Sequence, residues 1–106
     1  MAPGPHGGAH STAEDLIRFA ESLTRGLLIR RETLDQFVAT PTPGAYARGF
    51  ETGGEGTTRF FGHQGGAPGA NTFVRVFPEA GYIVVVLSNT DNGASLVGGF
   101  ISTLLK

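Results

Sequence analysis

Apolar residues recur every three or four positions in "STAEDLIRFAESLTRG", the period of an amphipathic helix. Leu16, Phe19, Ala20, Leu23 and Leu27 would share its buried face. Ser11 with Glu14, or Thr12 with Asp15 one residue later, makes a capping box at its start, and Gly26 is a suitable stop. A shorter helix is predicted in "RETLDQFVA", with Leu34, Phe37 and Val38 on one side and Pro41 and Pro43 closing it. The period then drops to two, the mark of strands. Strands are expected near Ala45–Glu51, Thr57–His63, Asn71–Phe77 and Tyr82–Ser88, with turns at "TGGEG" and "PEAG". "NTFVRVF" sets Phe73, Arg75 and Phe77 against Val74 and Val76. "YIVVVL" does not alternate, which suggests a strand covered on both faces by helices.

The tail "SLVGGFISTLLK" returns to helical spacing, with Leu96, Val97, Phe100, Ile101, Leu104 and Leu105 in one stripe. Gly98 and Gly99 weaken such a helix by about 1 kcal/mol each. Burying the apolar stripe, at about 1.5–3 kcal/mol per side chain, outweighs that. The tail is therefore helical only where it has a sheet to lie on. The order α-α-β-β-β-β-α with short turns predicts an α+β fold: an antiparallel sheet with flanking helices. Residues 1–10 read as a flexible Pro/Gly lead-in and residues 11–106 as the domain.

The 106 residues suffice for one small core, and 40% hydrophobic with 16% charged residues is a globular composition. A net charge of -1 without a basic block points away from nucleic acid and anionic membrane surfaces. The longest apolar run is too short to span a bilayer. The start lacks the basic and apolar regions of a secretory leader, which leaves the compartment open. With no cysteine, thiol catalysis and zinc–thiolate sites are excluded. His6 and His10, set among glycine and proline without a carboxylate partner, make a poor metal site, and no cofactor is expected.

None of the serines lies in G-x-S-x-G, and S-x-x-K is absent, since Ser102 and Lys106 are one residue too far apart. "GGAPG" lies between two strands rather than between a strand and a helix, so it is no phosphate loop. The stretch "GHQGGAPGA", Gly62 to Ala70, remains. It is either a tight hairpin with an incidental histidine or a strand edge kept bare so that another backbone can approach. In the second case His63 adds a hydrogen-bond donor.

"GHQGGAPGANTFVRVFPEAGYIVVVLSNTDNG" resembles the third motif and following hairpin of the serine β-lactamase-related family. That family includes class C β-lactamases, penicillin-binding D-alanyl-D-alanine carboxypeptidases and related esterases. In its esterase-like members K-T-G is commonly replaced by H-x-G, as in His63-Gln64-Gly65 here. "GGAHSTAEDLIRFAESL" and "RRETLDQFVATPTPGAYARGFE" resemble the preceding helix, and the next helix, loop and strand. The likeness thus runs through nearly the whole chain.

The resemblance implies the C-terminal portion of a β-lactamase/transpeptidase-like fold. It also implies an activated serine that attacks an ester or amide carbonyl, with an acyl-enzyme then hydrolysed by water. By resemblance His63 takes the place of the motif lysine, Gln64 faces the substrate pocket, Gly65 keeps it open, and the N–H of Gly66 is an oxyanion donor. The family's S-x-x-K and Y-x-N are not found: Tyr46 is followed by "AR" and Tyr82 by "IV". The 106-residue chain is therefore expected to be inactive alone, and small esters, amides or β-lactams to be substrates only of a longer parent. The alternative is a non-catalytic module that binds a peptide or second chain at the Gly-rich edge. In the family, strands from the N-terminal end pair beside the last strand of this region. Without them an unpaired Tyr82–Leu87 edge is expected to recruit a second copy.

Overall fold

The computed structural model describes residues 4–40 and 44–105. Helix α1 (Ala13–Thr24) begins at Thr12, whose Oγ1 accepts from the Asp15 N–H at 3.1 Å, so the later of the two capping choices is used. Glu14 and Asp15 then sit in the first turn, where the helix dipole favours negative charge. Gly26, with φ of +73°, follows the last turn. Helix α2 is Arg31–Val38. Pro41 and Pro43 lie outside the described residues.

Strands β1 (Glu51–Gly53), β2 (Phe60–Ala67), β3 (Ala70–Phe77) and β4 (Tyr82–Ser88) form one antiparallel sheet in that order, followed by helix α3 (Gly93–Leu104). Pro68 and Gly69 turn β2 into β3, with Ala67 facing Ala70. Proline first and glycine at φ +76° second is the type II pattern. The sheet is covered on both faces. On one face Ala20, Leu23 and Leu34 from the first two helices pack with Phe61 and Val76. On the other, Phe73, Phe77 and Val84 pack with Ala94 of α3. The alternation of β3 explains both: Phe73 and Phe77 point to α3, Val76 to α1. Arg75 shares the α3 face, with its guanidinium 3.9 Å from the Phe60 ring centroid and 4.8 Å from that of Phe73. Burial there lowers its pKa, and the Glu51 carboxylate opposes that shift.

Four expectations need correction. The first strand is not Ala45–Glu51. The chain folds back at Gly49 (φ +83°), Tyr46 bridges to Glu51, and only Glu51–Gly53 joins the sheet. Gly56–Thr58 is a short 3-10 turn, so β2 starts at Phe60 and runs on through the glycines. Phe19 and Leu27 are exposed; α1 buries Ala20 and Leu23.

The α3 stripe is also displaced. Of the predicted stripe Ile101 and Leu105 do pack toward the sheet, beside Ala94 and Gly98, but Leu96, Val97, Phe100 and Leu104 are exposed, Leu96 and Phe100 to 72% and 64%. The reason is steric: a Cβ on Gly98 would lie 2.4 Å from the Phe73 ring, so glycine is what lets α3 settle onto the sheet. Hydrophobicity located the helix but placed its buried face only in part, with Ile101 and Leu105 right and the other four outward. β4 lies at the sheet edge in contact with both α1 and α3, which accounts for its unbroken apolar run. Val84 is buried, while Tyr82 and Leu87 remain exposed.

Candidate active site

β2 is longer than its neighbour β1. Glu51 faces Gly62, and beyond that point β2 has β3 on one side and no strand on the other among the described residues. The Gln64 N–H is directed to the β1 side, where Glu51 Oε1 accepts it at 2.8 Å. Residues two apart on a strand direct their N–H groups alike. The Gly66 N–H therefore aims out of the same edge, past the start of β1. The Gly65 carbonyl gives the same direction from the other end of that peptide. It accepts from Asn71 Nδ2 (3.1 Å) and Thr72 Oγ1 (3.4 Å), both on β3. In a trans peptide the following N–H points the opposite way.

The glycines of this strand are bare for different reasons. A Cβ on Gly62 would come within 1.9 Å of the Val74 carbonyl oxygen, so backbone packing demands glycine there. A Cβ on Gly65 would press on Thr72 Oγ1 at 2.8 Å. A Cβ on Gly66 would meet only Asn71 Nδ2, at 3.8 Å, an ordinary contact. The fold of this chain does not itself require glycine at position 66.

His63 is exposed, on the face that carries Phe61. Its Nδ1 lies 2.5 Å from the Gln64 carbonyl oxygen, which can only accept, so Nδ1 carries a proton. In the neutral ring Nε2 is then an acceptor, and it lies 3.2 Å from the Tyr46 hydroxyl. The two rings meet edge-on at 5.9 Å. The fold-back at Gly49 brings Tyr46 here. Gln64 points to the opposite face, where its Oε1 accepts from Ser95 Oγ at 3.1 Å. His63 and the main chain of Gly65 and Gly66 thus stand along one edge, while the Gln64 side chain belongs to the α3 side. Two cavities, of about 290 and 370 Å³, are lined by other residues and touch neither His63 nor Gly66.

Sequence reasoning missed Tyr46, Glu51, Asn71 and Ser95 as neighbours of this strand. Asn71 carried a signal: it shares the inward parity of Phe73 and Phe77, and a polar residue in an inward register needs partners. For Tyr46, which reaches His63 only through the fold-back, the pattern held none. Among the described residues no group of three potential metal ligands comes together, and no helix is long and apolar enough to cross a membrane.

The Beta-lactamase family model matches residues 1–100. The chain belongs to that family. A solved structure, the penicillin binding protein from Bacillus halodurans, is similar to this Beta-lactamase family chain with a TM-score of 0.75 and 24% identity. The superposition covers 88% of the chain and 30% of that protein. The four-stranded antiparallel sheet with flanking helices is the shared architecture. The chain thus spans under a third of the length of that structural relative. No curated protein matches it.

Proposed function

We propose that this chain is the third-motif portion of a serine hydrolase that works through an acyl-enzyme, with an ester as the preferred substrate. The observation that carries the reading is the Gly66 N–H, aimed out of an uncovered strand edge with His63 three residues back on the same strand. Such an N–H suits an oxyanion because its direction is fixed before the reaction begins; removing one such donor typically costs about 10²–10³ in rate. His63, held by the Gln64 carbonyl and facing Tyr46, donates a hydrogen bond or partial positive charge near the substrate or the catalytic tyrosine. Gly65 and Gly66 let the substrate backbone lie close, while the Gln64 main chain serves the site indirectly, its N–H held by Glu51 and its carbonyl holding His63. The preference for esters rests on H-x-G in place of K-T-G.

The nucleophile and its base are assigned to sequence upstream of this region, as the sequence contains no S-x-x-K or Y-x-N. The test is covalent labelling with a fluorophosphonate. The 106-residue chain should remain unlabelled and should not hydrolyse p-nitrophenyl esters or a chromogenic β-lactam above background. A chain extended upstream in its own reading frame should be labelled at a serine of S-x-x-K and turn over the ester. Labelling of a serine within the 106 residues would overturn the assignment.

A second reading, an interaction module, is favoured by one separate feature. β4 is an outer strand, and Tyr82 and Leu87 on it, with Leu96, Val97 and Phe100 on α3, are exposed. We propose that a second copy covers this surface by pairing β4 with β4 about a two-fold axis, an arrangement in which one edge complements itself.

A further inference from the structure

We propose that Asn71 is a positioning residue for the Gly65–Gly66 peptide, and so for the outward N–H of Gly66; its importance to catalysis rests on the oxyanion reading above. Asn71 is 6% exposed and is the buried polar residue of this region. Its two amide ends are used in opposite directions. Oδ1 accepts the Ser95 N–H in the first turn of α3 at 2.6 Å, and Nδ2 donates to the Gly65 carbonyl at 3.1 Å. Both partners are backbone groups of fixed polarity, since the N–H can only donate and the carbonyl only accept. This fixes the orientation of the Asn71 amide, and no carboxylate or apolar side chain can serve both partners.

A strand ladder alone leaves the peptide at Gly65 weakly held. Gly65, Gly66 and Ala67 lie at the end of the hairpin, no strand among the described residues covers their outer edge, and glycine is the most mobile of residues. Asn71 ties that carbonyl to the start of α3, a packed element, and Ser95 adds a second tie through its Oγ to Gln64 Oε1. The peptide plane is thereby anchored on the sheet side, which leaves the N–H on the other side with one direction. Asn71 itself does not reach the open edge. It is distinct from His63 and Gly66, which stand along it.

The discriminating variant is Asn71→Asp. It keeps size and the acceptor for Ser95, but when ionised it faces the Gly65 carbonyl with a second acceptor. The first readout is ¹⁵N relaxation on the 106-residue chain, which involves no catalysis. The order parameter of the Gly66 N–H should fall from the rigid-backbone level of about 0.85 toward about 0.6, while Phe73 and Val76 stay unchanged. Acidification should restore it, because the protonated carboxyl can donate to the carbonyl again. In the upstream-extended enzyme kcat should drop about 3- to 10-fold, the worth of one neutral hydrogen bond, with KM little changed. The gap to the wild-type enzyme should narrow at low pH. Should Asn71→Asp lose the fold, Asn71→Ser, which keeps a short donor and acceptor, takes its place in the same relaxation measurement. An unaltered Gly66 order parameter in a folded variant, or a loosening spread evenly over the sheet, overturns the proposal. Loosening confined to Gly66 with an unchanged kcat upholds the positioning and overturns the oxyanion role instead.

Discussion

Gly98 and Gly99 are adjacent in α3, and replacing each with alanine isolates what the helix–sheet contact contributes. Both substitutions gain the same intrinsic helix propensity, about 0.8–1 kcal/mol. Their surroundings differ. A Cβ at position 99 meets nothing within 4 Å, whereas one at position 98 lies 2.4 Å from two carbons of the Phe73 ring, about an ångström inside ordinary contact at 3.4 Å. Phe73 is 1% exposed and cannot swing away. Overpacking of this kind costs about 1–3 kcal/mol. Gly99→Ala should thus stabilise the chain by about 1 kcal/mol. Gly98→Ala should range from neutral to about 2 kcal/mol destabilising, leaving a gap of about 1–3 kcal/mol between the two. Urea unfolding followed by far-UV circular dichroism reads this directly, and each kcal/mol should appear as about 4–8 °C in a thermal melt. A Gly98→Ala variant as stable as Gly99→Ala would refute the packing of α3 on Phe73, and with it the reason that the larger apolar residues face outward.

Other consequences follow the same logic. Gly62→Ala should cost about 3 kcal/mol or more, since its Cβ meets the Val74 backbone, whereas Gly66→Ala should change stability by under about 0.5 kcal/mol; chemical denaturation of both checks the contrast. In an upstream-extended enzyme His63→Ala should lower kcat/KM by about 10²-fold, the low end for an acid–base or electrostatic group, with the melting temperature unchanged; full activity would remove His63 from the site. The 106-residue chain should sediment with a mass that rises with concentration, and Leu87→Lys, a charge on the open strand, should hold it monomeric. Breaking the Arg59–Glu79 pair with Glu79→Gln should cost about 0.2–1 kcal/mol, because both partners are well exposed and solvent screens them.

What was legible in the sequence is what depends on neighbours along the chain. The Thr12 cap, the Gly26 stop and the alternation of β3 are set by residues within a few positions of one another, and they appear where expected; β2 and β3 pair as expected too, though their hairpin is tighter, turning at Pro68 and Gly69. The local pattern of the H-x-G stretch left a tight hairpin and a strand edge both open, and the family resemblance is what pointed to the edge. What failed depended on distant residues. The buried face of α3 is decided by Phe73, far away in sequence, and a hydrophobic stripe gives no hint that a glycine is the point of closest approach. The exposure of Phe19 likewise reflects which part of the sheet α1 reaches, a property no local period encodes, while Leu27 lies past the end of α1 at Thr24 and so leaves its face.

The most instructive miss is the first strand, because its breaking is what leaves the site uncovered. Glu51 faces Gly62 in an antiparallel pair. Continuing that register through a straight Ala45–Glu51 strand would set Phe50 beside His63, Gly49 beside Gln64, Arg48 beside Gly65 and Ala47 beside Gly66. The backbone of such a strand would run along the Gly-rich edge and close it. Instead Gly49 takes up a positive φ, the Ala47 N–H bonds the Phe50 carbonyl at 2.7 Å, and the Arg48 N–H is drawn off to the Phe37 carbonyl of α2 at 3.1 Å. Glu51 then reaches past the end of its own strand to cap the Gln64 N–H, which would otherwise be left unpaired, and Tyr46 is delivered to His63. The local pattern favoured a longer strand; the chain gives up those ladder bonds and satisfies the nearest freed donor with a side chain. Gly66, one step further along the edge, is left with its N–H outward and no such cap among the described residues, in a position where their packing does not require a glycine.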